Sequence, residues 1–187
     1  MTWVASMARI DGAVYLYGTA SRCEHGRVFE QPGDHGTVFV YKLREDGFIA
    51  LESEDKEKPS RVITREKIWH GGDLHINISA KNVTVGVYAA EETETKSLNA
   101  LGVAKPVEGF TADDCIPFSG DTTDLIPKFK SGKTLDELVG KTIVFEINYT
   151  DGTLFSLYGD YTDVFNTEAA RYRKFGVLPT RRDASGV

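Results

Sequence analysis

The feature that most restricts this chain is a double alternation between residues 74 and 87. In Leu74-His75-Ile76-Asn77-Ile78, apolar and polar residues exchange at every step, and Val83-Thr84-Val85-Gly86-Val87 repeats the pattern. Side chains of a strand point alternately to opposite faces, so a period of two gathers Leu74, Ile76, Ile78, Val83, Val85 and Val87 on one buried face. A helix, with its period of 3.6, cannot gather them. The short connection Ala80-Lys81-Asn82 predicts that the two strands fold back on each other as an antiparallel hairpin. His75, Asn77 and Glu146 then lie on a wet sheet face, away from the core.

Other segments obey the same grammar. Val14-Tyr15-Leu16-Tyr17 reads as a strand, rich in aromatic and branched side chains. Residues 21–36 are polar, contain Pro32-Gly33 and read as a loop. Residues 37–43 return as a strand with polar alternation only at Lys42, which predicts burial on both faces. Asp46-Gly47 signals a turn, residues 48–51 a short strand, and the charged stretch 52–60 a solvated loop. Residues 91–104 read as an acidic loop and 109–121 as an ordered irregular one.

Thr134-Leu135-Asp136-Glu137 matches a capping box, with Gly140 as a left-handed stop, so one helical turn is expected there. Residues 143–149 and 154–158 form strands around Asp151-Gly152, a strong two-residue hairpin signal. Asn166-Thr167 can cap a short helix over residues 168–175. Many short strands with so little helix predict an all-β fold, an antiparallel β-sandwich of the jelly-roll or concanavalin-like kind. One short helical turn and a short C-terminal helix complete it.

At this point the residues resemble a family. Arg44-Glu45-Asp46-Gly47-Phe48-Ile49-Ala50-Leu51 resembles the R-x-D-G-F-x-S-L start of a C-terminal β-sandwich. That sandwich follows a five-bladed propeller in glycoside hydrolases related to families 32 and 43. Gly72-Asp73-Leu74-His75-Ile76-Asn77 is similar to that family's G-x-x-L-x-x-N strand, and residues 83–88 to its partner strand. Glu108-Gly109-Phe110-Thr111-Ala112-Asp113-Asp114-Cys115 is similar to P-G-F-x-x-x-D-C/S, and Phe118-Ser119-Gly120-Asp121 to L-x-G-D. Leu138-Val139-Gly140-Lys141 is similar to L-x-G-K, and Leu154-Phe155-Ser156-Leu157 to the closing L-Y-S-F. These motifs span about two thirds of the chain.

The resemblance implies a division into three parts. Residues 1–45 would be a propeller-like remnant or extra strands, 46–161 the β-sandwich, and 162–187 a C-terminal extension. A whole propeller needs far more chain than precedes Asp46, so the family's catalytic carboxylates find no counterpart here and no residue inherits a catalytic role.

Charge and hydropathy exclude several partners. The formal net charge is -6 and no basic stripe offsets it, which argues against nucleic acid, whose phosphates need clustered Lys and Arg. No apolar run is long enough to span a membrane. The opening residues lack the basic and apolar regions of a signal peptide. The expectation is a cytoplasmic protein if the chain is complete, or a trimmed piece of a longer one. Cys23 and Cys115 lie in no metal-binding spacing and read as two buried or idle thiols, although a single bridge stays open.

Three aromatic residues, Trp69, Tyr158 and Tyr161, form a candidate carbohydrate platform, because a pyranose face stacks on an aromatic ring. The plainer reading is core or edge packing. Asp113, Asp114, Asp121 and Asp124 are calcium candidates, since calcium takes carboxylate and carbonyl oxygens. Their plainer reading is turn chemistry. No other cofactor is implied. Glu24-His25 and Asp34-His35 share a loop but no fixed ligand spacing. Asn77, Asn82 and Asn148 each begin an N-x-S/T glycosylation pattern. The nucleophile elbow and the Gly-rich phosphate loop are both missing.

Three functions compete. The first is a non-catalytic accessory β-sandwich module, tied to a propeller-type glycoside hydrolase domain and contacting glycan. The second is a self-standing carbohydrate-binding protein. The third is a fragment of an active glycoside hydrolase that lacks its catalytic carboxylates. The expected partners are therefore a carbohydrate or a propeller-type catalytic domain, and the chain alone is not expected to turn over substrate.

Overall fold

The computed structural model describes residues 2–21, 36–90 and 104–163. Within them the protein is all-β with antiparallel sheets and a single 3-10 turn. It divides into two compact units, Met1–Ala50 and Leu51–Val187. The expected C-terminal helix over 168–175 lies outside the described residues, as do Cys23, Glu24, His25, Asp34, His35 and most of the loop 91–104.

The first unit is a three-stranded meander of β1 (Thr2–Ile10), β2 (Ala13–Ser21) and β3 (Gly36–Arg44). β1 is a strand that alternation does not reveal, because its pairing with β2 shifts between Val4 and Ser6 and breaks the period. Asp11 and Gly12 make the hairpin, both at positive φ (49° and 70°), as a two-residue primed turn requires. β3 departs from the expected two-sided burial: Val38 is 75 % exposed, with Val40 and Tyr41 also exposed. A lone three-stranded sheet has no second layer in its own unit to cover either face.

The second unit is a six-stranded antiparallel sheet. Its strands are β4 (Leu51–Glu52), β5 (Ser60–Ile63), β6 (Lys67–Ala90), β7 (Ala104–Pro106), β8 (Phe118–Leu125) and β9 (Thr142–Asp163). β6 and β9 dominate it, with 24 and 22 residues. Along most of their length they pair with each other, from Trp69 with Tyr161 to Ala89 with Ile143. Partner numbers fall as β6 numbers rise, so the two run antiparallel. Lys67 pairs with Asp163 on one side and Ile143 on the other. The sheet therefore curls until the start of β6 lies between the two ends of β9.

This arrangement corrects the two expected hairpins. Ile76 has Leu125 of β8 on one side and Leu157 of β9 on the other, which leaves no edge for residues 83–87. The chain instead runs straight on through Ala80-Lys81-Asn82, with register shifts there against both neighbours and Asn82 at φ 50°. Asp151-Gly152 lies directly opposite, and Asp151 is at φ 43°. Both turn signals are β-bulges, and they bend the two long strands at the same place. A β-carbon on Gly152 would overlap Ala80, so the backbones are closest at this bend.

The inward face is as alternation predicts. Leu74, Ile76, Ile78, Val83, Val85 and Val87 are all buried in one core with Trp69, Ile143, Phe145, Ile147, Tyr149 and Leu154. Phe110, Phe129, Leu135 and Leu138 from the connecting loops join the same core. The face expected to be wet is not uniformly so: Asn77 is 2 % exposed and Glu146 7 %. Neighbouring strands and their side chains cover both.

The helical turn is present as a 3-10 turn over Leu135–Leu138, but the capping box does not form. Thr134 makes no side-chain cap bond, and the Glu137 amide donates instead to the Thr134 carbonyl at 3.1 Å. Asp136 turns outward and accepts from the Gly72 amide at 2.7 Å, tying the turn to the Gly71-Gly72 corner of β6. Gly140 does take the left-handed conformation, with φ 79°.

Candidate functional site

Three strands of the second unit place one side chain each in a row across the outer face. β8 supplies Asp124, β6 His75 and β9 Tyr158. His75 and Tyr158 are paired in register, and Leu74 and Ile76 point into the core, so alternation turns His75 outward. The two rings lie parallel, 2° apart in plane and 4.5 Å between centroids. The His75 Nδ1 meets Asp124 Oδ1 at 2.5 Å, and the Tyr158 hydroxyl donates to the same oxygen at 3.3 Å. The Asp124 amide is itself held by the Thr122 hydroxyl at 3.1 Å. Tyr158 remains 46 % exposed while it is held by these contacts.

The other two members of the expected platform lie elsewhere. Trp69 is 0 % exposed and packs edge-on against Phe145 at 5.5 Å. It presents no ring face to solvent, which a stacking platform requires. Tyr161 stacks on Trp69 at 6.3 Å and 21°, with the Lys67 ammonium 3.9 Å from its ring centroid. Lys67 also pairs with Asp163. Tyr161 is thus partly buried against the core and occupied by its neighbours. Only Tyr158 keeps the geometry of a platform.

The calcium candidates are not brought together. Asp114 accepts from the Thr111 hydroxyl at 2.7 Å and the Thr111 amide at 3.0 Å. Those bonds hold its carboxyl below the ordinary carboxylate value, as turn chemistry does. The Asp113 carbonyl receives Lys130 at 2.6 Å. Asp121 and Asp124 belong to β8, and Asp124 is committed to His75 and Tyr158. No group of three or more metal-ligating side chains occurs among the described residues. Cys115 is a buried free thiol, pushed above its usual value by that burial.

Two further polar features lie elsewhere on the same unit, towards the other end of the β6–β9 pairing. Glu146 takes two bonds from Arg61, both at 3.0 Å, and one from Asn148 at 3.1 Å. Burial works to raise its carboxyl, but Arg61, Tyr88 and Asn148 outweigh it and hold the group below its ordinary value. The segment joining β4 to β5 lines an open groove of about 930 Å³ whose lining includes Glu52, Asp55, Lys58, Arg61 and Tyr149. Its charges are largely spent on one another, Lys58 with Asp55 at 2.8 Å and Arg61 with Glu146.

Of the three glycosylation patterns, Asn77 is buried, Asn148 is bonded to Glu146, and Asn82 is exposed at the bend. No helix among the described residues is long and apolar enough to cross a membrane. No family model matches the chain, and neither a curated protein nor a solved structure matches it.

The link between His75, Asp124 and Tyr158 escapes sequence reading. They are far apart in the chain and meet only through the register of three strands. The local signal is limited to outward phase, which His75 shows and which says nothing of its partners.

Proposed function

We propose that this chain is a non-catalytic accessory β-module that contacts glycan, with Tyr158 as its platform. The observation that carries this reading is the row Asp124–His75–Tyr158. A sugar ring needs an apolar face to stack on and hydrogen-bonding groups at the rim. The exposed part of the Tyr158 ring offers the first. The free oxygen of Asp124 and the imidazole edge of His75 offer the second. Because the tyrosine is already held by stacking and by a hydrogen bond, little side-chain freedom is lost when ligand binds.

A second observation favours the association with a larger partner domain. The first unit leaves Trp3, Met7, Ile10, Val38 and Val40 exposed on its sheet. Isolated exposed apolar residues are ordinary, but a sheet carrying this many suits an interaction surface. A propeller-type domain, built of such sheets side by side, is the partner that the resemblance implies.

The test is a glycan-binding screen with the whole chain and its Tyr158→Ala variant. Binding that the variant loses by tenfold or more supports the platform. Binding of equal strength in both proteins refutes it.

A further inference from the structure

We infer that Asn82 is a site of N-linked glycosylation, and that of the three N-x-S/T patterns it is the one whose sugar the folded chain can carry. The inference is independent of the Tyr158 reading. An N-linked glycan is bulky and hydrophilic, so the asparagine that bears it must open onto solvent. Asn77, Asn82 and Asn148 each begin such a pattern, and the fold treats them differently. Asn77 is 2 % exposed. Its strand is paired on both sides, through Ile76 and Ile78 with β8 and through Asn77 itself with Ser156 of β9. A sugar there would have to part three strands. Asn148 lies in register between Arg61 of β5 and Thr84 of β6. Its Nδ2, the atom that would take the sugar, donates to Glu146 Oε1 at 3.1 Å. Arg61 grips the same carboxylate, so a sugar at Asn148 would strip partners from a buried charge.

Asn82 has neither obstacle. It is exposed, at the bend where β6 shifts register against both neighbours. Its φ of 50° is in the left-handed region, which asparagine tolerates better than most residues. Its backbone amide donates to Ser119 Oγ at 2.9 Å, which holds the bend in place behind an exposed residue. Val83 is buried in the core, and Thr84 completes the pattern that a transferase reads. The donor is an oligosaccharide carried on a lipid pyrophosphate. Asn82 Nδ2 bonds the anomeric carbon, and the bond from that carbon to the pyrophosphate oxygen breaks. The lipid pyrophosphate leaves and the amide nitrogen gives up one proton. Transfer onto an emerging chain precedes folding, so burial does not shield Asn77 or Asn148 from it. Burial decides instead which modified chains fold. A sugar on Asn77 or Asn148 prevents the sheet from closing, whereas a sugar on Asn82 does not.

The experiment expresses the full chain behind a cleavable secretion signal in a eukaryotic host. The secreted fraction that unfolds cooperatively is treated with peptide-N-glycosidase, which leaves aspartate where a glycan was attached. One glycan per chain is expected, with aspartate at position 82 and asparagine retained at 77 and 148. Asn82→Asp keeps a residue type that tolerates the left-handed backbone, and Thr84→Val ends the pattern while Asn82 stays in place. Each variant should be secreted folded and without glycan. If neither variant folds, the unaltered chain decides by which asparagine is converted. Folded protein with Asn82 unmodified overturns the inference. So does folded protein with a glycan on Asn77 or Asn148, or failure of the Asn82-modified chain to fold.

Discussion

At Gly152 a β-carbon would fall on Ala80 and within 2.5 Å of the Ser79 carbonyl oxygen, on backbone that cannot swing away. Gly152→Ala is therefore expected to destabilise the protein by about 2 kcal/mol, in the range of overpacked sites. Gly36→Ala, where a β-carbon meets open space, should stay within about 0.5 kcal/mol and serves as the control. Urea midpoints of the two variants decide it, and equal midpoints would contradict the close approach. Trp69 poses a different balance. Its side chain is fully buried, but its indole nitrogen has no hydrogen-bond partner among the described residues. Trp69→Ala should cost about 3 to 5 kcal/mol through the cavity it leaves. Trp69→Phe also loses volume, yet it removes a buried donor that costs about 1 to 3 kcal/mol to leave unpaired. The phenylalanine variant should thus lose no more than about 1 kcal/mol. A loss as large as that of the alanine variant would mean that the indole nitrogen is satisfied after all.

Between elements, the tie from β5 to β9 runs through Arg61 and Glu146. The carboxylate is 7 % exposed, while the guanidinium is half in solvent. Removing Arg61 leaves a buried charge with fewer partners, which is worse than losing the attraction. Arg61→Ala is expected to cost about 2 to 3 kcal/mol, below the fully buried case because solvent reaches the arginine side. The pH dependence follows from the lowered Glu146 carboxyl. In the unfolded chain a glutamate titrates near about 4.3. Above that value the charged group contributes its full stability. As pH falls through the lower folded value, Glu146 takes up a proton and the contribution disappears. The stability gap between the protein and Glu146→Gln should be constant above about pH 5 and shrink in acid below the unfolded value. A gap that stays constant into strong acid would contradict the assignment.

For the molecule as a whole, every member of the main core lies in the second unit, from Trp69 to Leu154. The first unit buries only Ala13 and Val14 among its described apolar residues. Residues 51–187 expressed alone should unfold cooperatively, because they carry that core complete. Residues 1–50 alone should show no cooperative transition, since three strands without a covered face bury too little to offset chain entropy. Urea titrations followed by circular dichroism test both halves. A cooperative 1–50 fragment would mean that the exposed apolar residues find a second layer within it.

Alternation in the sequence was enough to name the inward face of β6 between residues 74 and 87. The reason is geometric: a period of two admits one assignment of faces, whatever the partners are. Connectivity was not legible. Ile78 and Val83 point inward from positions of opposite parity, so the phase must slip by one residue between them. A turn and a bulge absorb that slip equally well, and Lys81-Asn82 and Asp151-Gly152 suit either. The choice fell to tertiary pairing, because β8 and β9 already occupy both edges of residues 76–80. The candidate site divides the same way. Tyr158 and Trp69 were both readable as aromatic candidates for a platform, with core or edge packing as the plainer reading of each. Only the curl of the sheet separated them, sealing Trp69 in the core and leaving Tyr158 exposed beside His75.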